Sequence, residues 1–98
     1  MAKLLNVIWS NEAVQNLEDI IHYIKKEWTQ REVDNFLVRL EKCIFLIQQK
    51  PKLFPLTEYR KNLRRCVISR QTSLYYLSIG SDIYIVSLFD NRRNLSNR

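Results

Sequence analysis

Apolar residues follow two different rhythms along this chain. Ala13, Leu17, Ile20, Ile21, Ile24 and Trp28 recur at spacings of three and four, which places them on one face of a helix. Glu18, His22 and Lys25 fall on the opposite face. Ser10 stands where an N-cap belongs, and Glu12 follows in the first turn, where a carboxylate complements the helix dipole. The same rhythm returns at Val33, Phe36, Leu37, Leu40, Ile44 and Ile47, running to Lys50 before Pro51 closes it. Thr29-Gln30-Arg31-Glu32 fits a capping box at its start. Two helices with almost no linker, each with one apolar stripe to bury, predict an antiparallel helical hairpin.

The remainder reads in the shorter rhythm of strands. Leu4–Trp9 is a brief apolar, β-branched run, and Leu63–Arg70, Ser73–Ile79 and Ile83–Phe89 follow the helices. Gly80, in Gly80-Ser81-Asp82, supplies the positive φ of a tight hairpin, whereas Gln71-Thr72 is a weaker turn signal. Residues 51–62 read as a loop anchored by Leu53, Phe54 and Leu56. The order is therefore β-α-α-β-β-β, an α+β fold occupying residues 1–98 as one domain. Strict alternation in the last strand puts Ile83, Ile85, Ser87 and Phe89 on one face and Tyr84, Val86 and Leu88 on the other. Both rows are largely apolar, which predicts a central strand covered on both sides or a face completed by a second protein.

Composition agrees with a compact chain: 46% hydrophobic residues, one Gly and two Pro. The N-terminus lacks the pattern of a signal peptide, and no stretch approaches the roughly 20 apolar residues of a membrane span. Cys43 and Cys66 are too few and too isolated for a disulfide framework or a zinc site. A cytoplasmic, reducing location is the expectation, with no metal, no cofactor and no membrane partner.

Charge adds the sharpest feature. Residues 1–59 balance eight Lys/Arg against eight Asp/Glu, whereas residues 60–98 carry eight against two, so the whole net charge of +6 lies in the second segment. Charge that is not averaged over the surface favours an anionic partner at one place. Arg60, Lys61, Arg64, Arg65, Arg70, Arg92 and Arg93 are the candidates for contacting it; the alternative is a solvated basic face without function. In a three-stranded meander the start of the first strand and the end of the third lie at opposite ends. Arg64 and Arg65 are thus not expected to share one compact pocket with Arg92 and Arg93.

Catalytic signals are sparse. His22, the single histidine, falls on the exposed helical face, which excludes two-histidine acid–base chemistry. Asp82 and Asp90 flank the last strand without further ligands for a metal. Metal-free chemistry on Arg64, Arg65 and Arg92, with Tyr75, Tyr76 or Tyr84 moving a proton, is what remains, although strand tyrosines usually pack. Trp9 and Trp28 are expected to bury against the hairpin. Cys43 and Cys66 are expected to be buried or inert, although the arginines beside Cys66 favour a thiolate.

The order of these pieces resembles a toxin of the RelE/ParE superfamily from bacterial type II toxin–antitoxin modules, a group that includes plasmid stabilisation proteins. Val7-Ile8-Trp9-Ser10 with Ala13 and Leu17, Ile20-Ile21 with Tyr23-Ile24 and Trp28, Phe36, Leu40, Pro51 and Pro55 carry it. So do Leu63-Arg64-Arg65, Leu74-Tyr75-Tyr76, Ile83-Tyr84-Ile85 and Asp90-Asn91-Arg92. The resemblance implies a helical hairpin packed on a small curved antiparallel sheet, and neutralisation by a cognate antitoxin. Within the superfamily, RelE-like members cleave messenger RNA on the ribosome, whereas ParE-like members poison DNA gyrase. Arg92 matches the family's C-terminal arginine, and Arg64 or Arg65 a basic position on the first meander strand. Ser73 stands where ribonuclease members tend to carry an arginine, and no Tyr or His follows Arg93. Those departures, and the closely linked hairpin, point to ParE, with a ribosome-dependent endonuclease and a non-toxic nucleic-acid-binding module as the alternatives.

Overall fold

A computed structural model describes residues 4–92. The elements follow the expected order: β1 (Asn6–Trp9), α1 (Asn11–Glu27), α2 (Gln30–Gln49), β2 (Arg64–Val67), β3 (Thr72–Ile79) and β4 (Asp82–Asp90). Strands lie in the order β1-β4-β3-β2. The meander β2-β3-β4 is antiparallel, but β1 pairs parallel with β4, so the sheet is mixed rather than wholly antiparallel. A strand that feeds a helical hairpin need not pair with its sequence neighbour, and β4 offers it a free edge. β4 is thereby the central strand along Asp82–Ile85.

One face of the sheet is covered by the hairpin. Ala13, Ile20 and Ile24 of α1 and Val33, Phe36, Leu40 and Ile47 of α2 meet Leu74, Tyr76, Ile83, Ile85 and Leu88 in one core. The helical stripes thus bury largely as their spacing predicts. Trp28 does not. It is the C-cap of α1, past the last helical turn, and stays 53% exposed, whereas Trp9 is half-buried against the core.

A bulge between Tyr75 and Tyr76 decides the rest of β4. Tyr75 pairs with Ser87 and Tyr76 with Ile85, which leaves Val86 as the extra residue. Beyond it the alternation changes phase. Leu88 and Asp90 are buried and Phe89 is 46% exposed, the reverse of strict alternation from Ile83. The start of α1 holds this bulge. Ser10 Oγ accepts from Ala13 N–H at 2.9 Å as the helix cap and donates to the Val86 carbonyl at 2.7 Å. Leu88 N–H, on the edge of β4 beyond the reach of β1, donates to Asn16 Oδ1 at 3.1 Å.

The cysteines are not isolated. Cys43 of α2 and Cys66 of β2 meet as a disulfide inside the core, 23 residues apart in sequence. Neither their spacing nor their neighbours announce this, because only the packing of α2 on β2 brings them together.

Candidate docking surface

The sheet face turned away from the hairpin is open. Register and alternation place Arg65 and Val67 of β2, Ser73, Tyr75 and Leu77 of β3, and Ser87 and Phe89 of β4 on it, with Ile8 at the edge. Val67, Phe89 and Ile8 are exposed large apolar residues. The loop between α2 and β2 borders this face. Its residues near Leu56 run along the outer edge of β2, with Thr57 N–H donating to the Leu63 carbonyl at 2.7 Å and Arg65 N–H to the Pro55 carbonyl at 3.0 Å. Asn62 takes a φ of 65° to turn the chain into the strand, a conformation that asparagine tolerates. Tyr59, 77% exposed, stands edge-on to Tyr75 with ring centroids 6.0 Å apart. Between that loop and the first turns of α1 lies a groove of about 510 Å³, floored by Tyr75, Ser87 and Phe89 and walled by Tyr59, Glu12 and Asn16.

The basic residues do not gather there as one set. Arg60 and Lys61 are exposed on the loop, and Arg65 is exposed beside it, its Nε donating to Ser73 Oγ at 3.0 Å. Arg70 is exposed in the β2–β3 turn. Arg64, on the covered face, donates to the carbonyl of Phe54 at 2.6 Å and to that of Lys52 at 3.4 Å, which pins the loop down. Arg92 is held by Asp90 through Nε at 3.2 Å and Nη2 at 2.9 Å. Asp90 itself is 4% exposed and also accepts from Thr72 Oγ1 at 2.5 Å. Arg92 lines a separate cleft with Glu32, Asn35 and Arg39 of α2, whereas its partner Asp90 borders the groove. Through Tyr76, Arg64 is in register with Ile85, five residues before Asp90, where β4 ends and Arg92 is held, or about 15 Å along a strand. Arg93 lies outside the described residues.

The tyrosines divide in the same way. Tyr76 is fully buried, its hydroxyl donates to the Pro51 carbonyl at 2.7 Å, and its ring packs edge-on to Phe54. Burial pushes its pKa up, and the Arg64 guanidinium and a backbone hydrogen bond from Phe54 pull it back only in part. It is a packing residue. Tyr75 faces the groove, where Arg65 is the cation opposite it in register. His22 is exposed on α1. The sequence pattern missed Tyr59, Glu12 and Asn16 as groove residues. The exposed aromatic in a polar loop was the one available signal for them.

A helical hairpin over one face of a four-stranded mixed sheet is the fold of the RelE/ParE toxins. The model of the ParE toxin of the type II toxin–antitoxin system, parDE, matches residues 7–95, so this chain belongs to the ParE toxin family and is the toxin component of such a system. Solved structures agree with that fold. A chain of the chromosomal ParDE toxin–antitoxin system from P. aeruginosa superposes with a TM-score of 0.74 at 13% identity, covering 89% of this chain and 96% of that one. For the YoeB dimer from Staphylococcus aureus the values are 0.64 and 14%, covering 89% and 97%. For the E. coli DinJ-YafQ toxin–antitoxin complex they are 0.63 and 12%, covering 93% and 97%. No curated protein matches the sequence. Among the described residues, no helix is long and apolar enough to cross a membrane.

Proposed function

We propose that this toxin acts by docking, in the manner of ParE, on DNA gyrase in the cytoplasm and stalling it so that cleaved DNA accumulates. The observation that carries this reading is the dispersal of the arginines. Arg64 secures a loop, Arg92 is neutralised by Asp90 and Arg65 donates to Ser73 Oγ, so all three candidate catalytic cations are engaged within the chain, and of the three Arg65 alone is exposed. Transition-state stabilisation of a phosphoryl group needs cations converging on one point. What faces outward is a mixed surface: Tyr59, Tyr75 and Phe89 beside Arg60, Lys61 and Arg65. Aromatic residues flanked by arginine are the usual anchors of protein contacts. Arg70, exposed in the β2–β3 turn, adds to the outward-facing charge.

The cognate antitoxin is an acidic or amphipathic segment laid over the hairpin and the open face. Val38 and Phe45, exposed on α2, and Phe89 and Val67 on the sheet supply apolar contacts for it. A ribosome-dependent endonuclease is the second reading, favoured by Arg65 standing opposite Tyr75 on the open face.

Purified protein tested on both targets separates the two. Inhibition of gyrase supercoiling with accumulation of cleaved DNA, reversed by the product of the adjacent reading frame, is the expected result. Codon-position cleavage of translated messages with supercoiling untouched would overturn it. Steep salt-dependent binding to bare nucleic acid without growth arrest would instead indicate a nucleic-acid-binding module.

A further inference from the structure

We propose that Cys43 and Cys66 form a redox-dependent tie that controls how firmly the loop bearing Tyr59, Arg60 and Lys61 is held. The two are the only cysteines of the chain, and they reach each other from different elements, α2 and β2. Between them lie the end of α2, the connecting loop and the first two residues of β2. The loop between α2 and β2 has few regular hydrogen bonds of its own. Arg64 braces the segment from within, on the carbonyls of Phe54 and Lys52. Tyr76 on the Pro51 carbonyl, Gln48 on the Leu5 carbonyl and the Tyr59–Tyr75 ring pair tie it to the body of the protein. A covalent bond from Cys43 to Cys66 closes the segment into a ring and removes much of the freedom it gains on opening.

In the bonded structure the pair is packed in the core, Cys43 at 8% exposure and Cys66 at 0%; in the reduced protein both sulfurs are thiols. The oxidant is a small-molecule disulfide such as oxidised glutathione. The Cys43 thiolate, the less buried, attacks one sulfur of that molecule, forming a mixed disulfide and releasing one small thiol. The Cys66 thiolate then attacks Cys43 Sγ, forming the internal bond and releasing the second thiol. The protein loses two electrons and two protons, and the small disulfide takes up both. Because the pair is enclosed, exchange proceeds through transient separation of α2 from β2. The tie is set slowly, and once set it persists. The inference rests on the cysteines alone and holds whichever target the open face meets.

The test holds the chain in excess oxidised or excess reduced glutathione under native conditions. The expected oxidised product has lost two hydrogens by mass, resists thiol alkylation, and melts about 10–20 °C above the reduced form. Trypsin provides a second measurement, because Arg60 and Lys61 are exposed and lie between the two cysteines. Protein nicked there after oxidation should run as one covalent unit until a reductant is added. The Cys43→Ser and Cys66→Ser variants should each lose the dependence of melting on redox state. Free alkylation of both thiols after oxidation would overturn the proposal, as would a melting difference below about 2 °C between the two forms. If either variant fails to fold, the wild-type comparison still decides.

Discussion

The two faces of this sheet are made from the same four strands, yet they do different work. On the covered face, Leu74, Tyr76, Ile83 and Ile85 are fully buried against two helices. On the open face, Val67 and Phe89 remain 55% and 46% exposed, and aromatic and basic residues are interleaved. A large apolar residue on the first face contributes to folding; on the second it is available for a partner. The arginines obey the same division. Arg64 and Arg92 belong to the covered side and serve the fold, whereas Arg60, Lys61 and Arg65 are presented outward.

Truncation on each face is the strongest way to break this contrast. Leu74→Ala should cost about 3–4 kcal/mol in chemical denaturation, while Phe89→Ala should change stability by less than about 1 kcal/mol and weaken antitoxin or target binding instead. Equal losses from both would mean that the open face is part of the core. Next in size is Asp90→Asn, which leaves the Arg92 guanidinium in a mostly buried site without its counter-charge. About 2–3 kcal/mol of stability should be lost, and Arg65→Ala should lose almost none. If Arg92→Ala abolished toxicity with no change in melting, Arg92 would move to the presented set.

Alkaline pH sharpens the comparison further. The folded state raises the pKa of Tyr76 above its ordinary 10.0, so this neutral phenol contributes its full stability below pH 10. That contribution is lost as the pH rises from there through the folded-state value, because the unfolded chain ionises first. Tyr76→Phe should cost about 1 kcal/mol at neutral pH, through the lost bond to Pro51, yet should flatten the fall in stability above pH 10. An identical alkaline profile in the variant would assign that fall to other groups. The smallest effect is expected at the β3–β4 hairpin. Gly80 sits at φ +61°, and a Cβ added there would meet nothing within 4 Å. Gly80→Ala should therefore cost only about 1 kcal/mol, from backbone conformation alone.

The covered face was largely legible in the sequence and the open face was not. Helical spacing located Ala13, Ile20, Ile24, Val33, Phe36 and Leu40 correctly, because a stripe at period 3.6 has one physical solution. Trp28 broke the pattern because periodicity does not say where the helix stops. The phase of β4 was hidden. Apolar residues occupy both parities from Tyr84 to Phe89, so alternation carries no register information there, and the bulged residue, Val86, is not a glycine. The pairing of Arg92 with Asp90 was within reach at two residues' separation. The anchoring of Arg64 on loop carbonyls was not, since backbone acceptors leave no mark in a sequence.

Ser10 illustrates how narrowly one position can be specified. Its hydroxyl closes the helix start and the bulge together, accepting from Ala13 while donating to Val86. Aspartate is as good a helix cap as serine in most proteins, but an ionised carboxylate has no hydrogen to give. Here Ser10→Asp should therefore lower the melting temperature where a cap replacement is ordinarily harmless, and Ser10→Thr should be the mildest exchange. A requirement of this kind acts as a veto on drift: the residue that starts a helix is chosen by a kink in a strand 76 positions away.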